Sequence, residues 1–294
     1  MKRPGQTVYH PWVFLTPALI ILALFIVWPL LRAVLWSFQD VSILNSSDTS
    51  FVGFANYSWM LKDDRFRQAF ANTAWFTLMV VPFQTVLAFF MALWVDRPEP
   101  AWRWLRTVFF IPVVLSMPVL AILWQMIYQP AQGDQMGLLN AFLNLMGLPS
   151  QDWLNDPQLA LPAIAFMSVW QGVGFQMMIF LAGLQNLSNE QLEAARIDGA
   201  SAPQRLQHII LPGMKHSIIF VIITTTLLCF RLFVQPYLMT QGGPQDRTVS
   251  LIQMIYETTF LHRDLGLAGA GTMIFMGLIV IIGISKRILG GKTA

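Results

Sequence analysis

Residues 12–31 read WVFLTPALIILALFIVWPLL, a run of 20 residues without a charged side chain. A helix rises ~1.5 Å per residue, so this run is long enough to cross the ~30 Å hydrocarbon core of a bilayer. Helices are expected, because an open strand would leave its backbone without partners in lipid. Together with five later apolar runs, it predicts an all-α membrane protein with six transmembrane helices, at Trp12–Leu31, Ala71–Trp94, Leu105–Tyr128, Leu159–Leu184, Ser217–Met239 and Leu267–Ser285.

The composition agrees with a membrane location. Apolar residues make up 55% of the chain and charged residues only 11%, whereas soluble domains average about 25% charged residues. The first run follows Lys2 and Arg3, but it is longer than a signal-peptide core and no A-x-A pattern follows it. We therefore expect a retained first span and a single transmembrane domain over residues 1–294.

Lysine and arginine are unevenly distributed between the loops. Eleven of them lie in the two termini and in the second and fourth loops, against six in the other loops. Cytoplasmic loops of membrane proteins are enriched in these residues. Both termini and the fourth loop, residues 186–214, are therefore predicted to be cytoplasmic. The same distribution accounts for part of the net charge of +3, so no nucleic-acid partner is expected.

The energy source is predicted to lie outside this chain. All 15 Asp and Glu residues fall outside the six spans, whereas ion-coupled carriers usually keep an acidic group within the membrane. The tail Gly290-Gly291-Lys292-Thr293 resembles part of a phosphate loop, but the full motif needs glycine where Lys286 stands. We expect no ATP site, no other cofactor and no metal site, since the one cysteine and four histidines show no ligand spacing.

A few polar side chains fall near the middle of the spans. Gln84, Ser116 and Gln171 lie close to the midpoints, and Arg231 lies about three residues outward of one. Such residues either hydrogen-bond helices together or line a substrate pathway. Arg231 has no acidic partner within the spans, and Trp170 offers an aromatic face beside Gln171. We predict a substrate pathway at these five residues.

The fourth loop contains SNEQLEAARIDGASAPQRLQHIILP at residues 188–212. Ser188 with Gln191, and Ser201 with Gln204, have the spacing of helix capping boxes. Gly199 lies between them and suits a helix C-terminus that needs a positive φ. The pattern predicts two short helices joined by a tight turn. This element either docks another protein or is an amphipathic connector on the lipid surface.

The loop resembles the EAA loop through which permease subunits of ABC importers dock on their ATPase. That pattern has Glu-Ala-Ala, a glycine four residues later and an I-x-L-P sequence near the end. The resemblance implies an ATPase-docking role for Glu193, Ala194, Ala195, Asp198, Gly199, Ala200, Ile210, Leu211 and Pro212.

The resemblance covers nearly the whole chain and is to the maltose-type carbohydrate permeases. Its further motifs are Gly53–Tyr57, Asn72-Thr73, Gly137–Asn140 with Trp153-Leu154, Leu181–Gln185 and Thr240–Pro244. The extra first region of some maltose permeases is absent, so their substrate contacts are not carried over.

The resemblance implies a type I ABC importer permease in a bacterial inner membrane, forming half of a pore with a second permease subunit. Two copies of a cytoplasmic ATPase would hold ATP and Mg²⁺, and an extracytoplasmic solute-binding protein would deliver a sugar. Glycerol-3-phosphate or another polyol remains an alternative substrate. A secondary carrier and a structural membrane protein that recruits partners are the alternative functions.

Overall fold

The computed structural model describes residues 10–44, 49–131 and 136–290, and most of them are helical. Lys2, Arg3 and the end of the glycine-lysine tail lie outside the described residues. The helices are α1 (His10–Leu22), α2 (Trp28–Ser37), α3 (Ala55–Lys62), α4 (Asp64–Val95), α5 (Pro100–Val114), α6 (Met117–Ile127), α7 (Leu138–Leu145), α8 (Ala160–Gln185), α9 (Asn189–Ile197), α10 (Ala202–Arg205), α11 (Leu211–Gly213), α12 (Lys215–Phe230), α13 (Val234–Met239), α14 (Leu251–Phe260) and α15 (Leu265–Gly290).

Helices of membrane-spanning length confirm the predicted class. Four described helices are long and apolar enough to cross a bilayer, at Trp12–Ser37, Asp64–Val95, Ala160–Gln185 and Leu265–Ile284. Two bent pairs bring the number to six when each pair is taken as one span. π-helical turns at Ala23–Val27 and Leu206–Ile210 join α1 to α2 and α10 to α11.

The third predicted span, Leu105–Tyr128, is not one straight helix. It breaks into α5 and α6, whose axes differ by 99°. Leu115 and Ser116 adopt extended backbone conformations between the two helices. Pro118 has no N–H to donate to the carbonyl of Val114, which disfavours an uninterrupted helix at this point.

The prediction of one continuous helix for the fifth span, Ser217–Met239, was also wrong. α12 ends at Phe230, and the short helix α13 begins at Val234. Pro236 cannot donate a hydrogen bond to the carbonyl of Leu232. That carbonyl instead accepts a hydrogen bond from Ser250 Oγ at 2.5 Å. Arg231 consequently caps the end of α12 and does not lie within a helix.

The chain forms two compact units, and the larger comprises Asp64–Met254 with Leu278–Ala294. Its centre is the packing of α4, α5, α8 and α12 around two buried apolar clusters. Phe89 of α4 meets Phe180 of α8 edge to face, with ring centroids 5.6 Å apart. Gly174 lets α8 approach the α5 backbone, because a Cβ at this position would collide with the carbonyl of Phe109.

The smaller unit comprises Met1–Asp63 and Ile255–Gly277. Its two short strands, β1 (Gln39–Asp40) and β2 (Ser50–Phe51), pair antiparallel with Gln39 opposite Phe51. Asn56 donates hydrogen bonds to the carbonyls of Ser37 and Gln39, at 3.1 and 2.9 Å. The motif that contains Asn56 therefore ties α3 to the end of α2 and to β1.

Candidate functional site

The first half of the fourth loop is a helix with both ends capped. Ser188 Oγ accepts the backbone N–H of Gln191 at 3.3 Å and begins α9. At the other end, the N–H of Ala200 donates to the carbonyl of Ala195 at 2.9 Å, and that of Gly199 to Arg196 at 3.1 Å. Gly199 has a φ of +78°, as the sequence predicts. These bonds form a Schellman motif, which fixes the direction in which the chain leaves α9.

The second half is held against that turn. Ser201 N–H donates to Gln204 Oε1 at 2.7 Å, which gives the predicted capping interaction at the start of α10. Arg205 donates from Nη1 to the carbonyl of Ala200 at 2.7 Å. Arg205 was missed in the sequence analysis, because a loop arginine was taken only as a topology signal. The turn is thus fastened from both helices.

Apolar residues connect the loop to the bundle. Leu206 and Ile210 pack on the buried cluster that contains Leu184 and Met214. A Cβ on Gly213 would meet Leu187 at 2.5 Å, so this glycine permits the close packing at the base of the loop. The loop is therefore packed directly against α8 and the start of α12.

The outer face of the loop is small and exposed. The described side chains there include Glu193, Ala194, Asp198 and Ile197, and Ile197 is 86% exposed. Leu211 and Pro212 are also exposed, whereas Ala195, Ala200 and Ile210 are half-buried. Shallow clefts flank the turn, lined by Ala194, Ala195, Asp198, His208, Ile209 and neighbouring residues. Ile197 was missed, although an isoleucine between Arg196 and Asp198 was a visible signal.

A small cavity with a mostly apolar lining lies within the larger unit, between α4, α5, α8 and α12. It has a volume of about 140 Å³, and Gln84 and Gln171 both line it. Gln176, Thr224 and Thr225 add further polar groups, and apolar side chains complete the wall. Among the described residues of its lining, none is charged. The cavity thus offers amides and hydroxyls beside apolar surface.

Gln176 and Thr225 are the polar pair that the sequence analysis missed in this cavity. Gln176 is 2% exposed and donates from Nε2 to Thr225 Oγ1 at 2.5 Å. Its Oε1 atom is buried and accepts no hydrogen bond from any described residue. A buried acceptor without a partner is costly unless a ligand or water supplies a donor. Gln176 is therefore suited to accept a hydroxyl hydrogen.

Gly172 shapes the same cavity. A Cβ on this residue would lie 2.6 Å from Nε2 of Gln84. The amide of Gln84 therefore rests against the α8 backbone at a point where only glycine leaves it room. Gln84 and Gln171 come from different helices and both line the cavity.

The other predicted pathway residues lie elsewhere. Ser116 is exposed at the bend between α5 and α6, and Arg231 is exposed at the end of α12. Trp170 is 38% exposed and packs against Trp124, with ring centroids 5.4 Å apart. Thus the structure brings Gln84 and Gln171 into one cavity and leaves Ser116, Trp170 and Arg231 outside its lining.

Two of the sequence motifs hold loops of the larger unit in place. Asn72 donates from Nδ2 to the carbonyls of Asp246 and Val249, at 2.7 and 2.9 Å. Asn140 is fully buried and accepts Trp153 Nε1–H at 3.1 Å. Both motif residues therefore have a structural role within the larger unit.

Comparisons with known proteins identify the family. The model of the binding-protein-dependent transport system inner membrane component family matches residues 84–293. The chain is similar to the "Probable ABC transporter permease protein YurN" of Bacillus subtilis, with 34% identity over 90% of each chain. The alpha-glucoside transport system permease protein AglF of Rhizobium meliloti is 33% identical over 93% of this chain and 80% of that one.

A solved structure has the same fold. It is a chain of a bacterial alginate ABC transporter, crystallised in complex with an alginate pentasaccharide-bound periplasmic protein. The two chains superpose with a TM-score of 0.83 at 18% identity, over 97% of this chain and 94% of that one. The chain described here belongs to the family of binding-protein-dependent transport system inner membrane components and is a permease of an ABC importer.

Proposed function

We propose that this chain forms half of the pore of a sugar importer and is driven by a separate ATPase. A second permease subunit completes the pore. Two ATPase copies bind ATP and Mg²⁺ in the cytoplasm, and a solute-binding protein delivers the sugar from outside. Family membership argues against both alternative functions, a secondary carrier and a membrane protein with a purely structural role.

The fourth loop carries the proposal that the ATPase docks on this chain. Its turn is fixed by the Schellman bonds and by Arg205, and its base packs into the bundle. Ile197 extends from the outer face with 86% of its surface exposed. An exposed isoleucine beside alanines fits an apolar anchor in a partner's groove, surrounded by the charges of Glu193 and Asp198.

The cavity supports a neutral sugar as the substrate. Sugar hydroxyls are both donors and acceptors, and the cavity presents amides, hydroxyls and an unpaired acceptor on Gln176. A phosphate group carries acceptor oxygens and calls for basic partners, and none of the described lining residues is charged. AglF is named for alpha-glucosides, which are neutral sugars. We therefore favour a neutral sugar over glycerol-3-phosphate.

The orientation follows from the charge distribution. Both termini and residues 186–214 face the cytoplasm in this proposal, because lysine and arginine are concentrated there. This places the docking helices on the side where ATP is available.

Purification of the complex from native membranes, through a tag on this chain, tests the docking proposal. The ATPase is expected to co-purify with the wild-type chain and to be lost from Ile197→Asp, because a carboxylate in an apolar groove is strongly disfavoured. Phe51→Asp, at a similarly exposed apolar residue of β2 outside the fourth loop, is the matched control and should retain the ATPase. Equal recovery with Ile197→Asp and wild type would refute docking through this residue.

A further inference from the structure

The helix α7 has an apolar stripe that nothing in the described structure covers. Leu138, Phe142, Leu145 and Met146 are all exposed, and Leu145 is 88% exposed. At 100° per residue these four positions fall within one arc of about 100° on the helix surface. Single exposed leucines are ordinary, but a continuous stripe on one short helix indicates a contact surface.

The opposite side of α7 is fixed to the protein. Asn140 is fully buried and donates from Nδ2 to the carbonyls of Gln129 and Gln151, at 3.0 and 2.9 Å. Leu139 packs on a buried apolar cluster. The stripe therefore cannot turn inward without breaking these contacts, so its outward direction is a property of the fold.

Contacts at the start of α7 fix its position relative to the end of α6. Gly137 N–H donates to the carbonyl of Gln129, the second residue after α6, at 3.1 Å. A Cβ on Gly137 would lie 2.5 Å from the carbonyl of Ile127, the last residue of α6. The first turn of α7 thus abuts the end of α6, which is part of a membrane-spanning pair.

The neighbouring helix α6 also has an exposed apolar face. Val119, Ile122, Leu123 and Met126 are exposed at helical spacing along α6. No lysine or arginine occurs from Gln129 to Gln158, so the segment has no basic side chain with which to meet an acidic partner. The side chains of the stripe also lack hydrogen-bonding groups, which a solute-binding protein that docks and leaves would use at a polar rim.

We propose that the stripe of α7 is buried in the lipid bilayer at the border where α6 ends. The helix acts as an interfacial anchor: Leu138, Phe142, Leu145 and Met146 enter the acyl region, and Asn140 holds the external loop to the bundle from the other side. The anchor fixes the depth of the loop through which the chain returns to α8.

Fluorescence quenching tests the anchor in the complex purified through this chain and placed in lipid nanodiscs. A bimane label is attached to Leu145→Cys in a Cys229→Ala background, and Phe142→Cys provides a second position. Asn144→Cys, exposed on the flank of the same helix, is the matched control. Each sample is quenched separately with phosphatidylcholine brominated on its acyl chains and with aqueous iodide.

The expected result is that brominated lipid removes most of the fluorescence at positions 142 and 145 while iodide has little effect there. The label at position 144 should show the reverse. Iodide quenching at 145 equal to that at 144 would place the stripe in water and overturn the proposal. Protection from both quenchers would mean that another protein covers it. Protection that appears only after a solute-binding protein is added would assign the stripe to that partner.

Discussion

Arg205 Nη1 donates to the carbonyl oxygen of Ala200 at 2.7 Å, so the second helix of the fourth loop holds the turn that ends the first. Ala200 also donates its N–H to Ala195. Ala200 therefore links α9, the turn and the segment that leads into α12. Hydrogen bonds and packed side chains thus connect the outer face of the loop to α12.

Gly199→Val is expected to reduce ATPase association and transport. Gly199 has a φ of +78° and no atom within 4 Å of the Cβ position, so the penalty is conformational. A β-branched residue in this region costs on the order of 1–3 kcal/mol and should move the turn. Recovery of the ATPase with the tagged chain, and uptake by membrane vesicles, measure the effect.

Gly147→Val is the control for that experiment. Gly147 has a φ of +73° and equally open space around its Cβ, but it lies just after α7. It should bear a similar backbone penalty and retain the ATPase. Equal loss of the ATPase in both variants would point to general destabilisation.

Glu193→Lys should weaken ATPase binding by charge reversal, because Glu193 is exposed on the outer face. Glu99→Lys changes an exposed glutamate that precedes α5 and should leave ATPase recovery unchanged. Measuring ATPase recovery at increasing salt concentration distinguishes the two variants, since contacts between exposed charges are screened by salt. A wild-type salt profile for Glu193→Lys would remove this residue from the docking surface.

Gln171→Leu is expected to impair sugar transport while the complex still assembles. The change removes one hydrogen-bonding amide from the cavity, which should raise the half-saturating sugar concentration about 2- to 10-fold. Gln125→Leu gives the contrast, because Gln125 holds the carbonyls of Leu238 and Met239 outside the cavity. Gln125→Leu should lower thermal stability and assembly. Unchanged uptake kinetics in Gln171→Leu would exclude it from the pathway.

Asn72→Leu should destabilise the larger unit by leaving the carbonyls of Asp246 and Val249 without their partner. The expected loss is about 1–3 kcal/mol in the free energy of unfolding. Thermal denaturation of the solubilised chain measures it. Asn155→Leu, whose side chain is exposed and bonds only to Asp152, should change the midpoint little. A similar midpoint in both variants would contradict a stabilising role for the hydrogen bonds of Asn72.

The sequence was sufficient to predict the fold class and the two capped helices of the fourth loop. The length of an apolar run predicts a membrane span, because every backbone polar group within lipid must be hydrogen-bonded inside the protein. The capping residues Ser188 and Ser201, with Gly199 between them, act over a few neighbouring residues, so their effect is visible locally.

The cavity was only partly predictable. Position along a span gives depth but not the face toward which a side chain points, so Ser116 and Arg231 were grouped with Gln84 and Gln171. Proline effects at Pro118 and Pro236 ended helices that apolar composition alone extends. The buried Oε1 atom of Gln176 that faces no donor among the described residues cannot be read from the sequence, because burial and hydrogen-bond partners require coordinates.

The predicted orientation can be tested with two single cysteines, Asn155→Cys and Gln204→Cys, at exposed positions. An impermeant thiol reagent applied to intact cells should label position 155 and leave position 204 unlabelled until the membrane is opened. The native Cys229 is buried, and a Cys229→Ala background controls for it. Labelling of position 204 alone from outside would show that the orientation is the reverse of the predicted one.

ATP-dependent uptake in proteoliposomes tests the central claim most directly. The complex purified through this chain is reconstituted, and radiolabelled neutral disaccharides are offered with the solute-binding protein. Accumulation should require ATP on the side of the fourth loop, persist when ionophores collapse proton and sodium gradients, and be lost in Gly199→Val. Accumulation that needs an ion gradient and proceeds without ATP would contradict an importer driven by a separate ATPase.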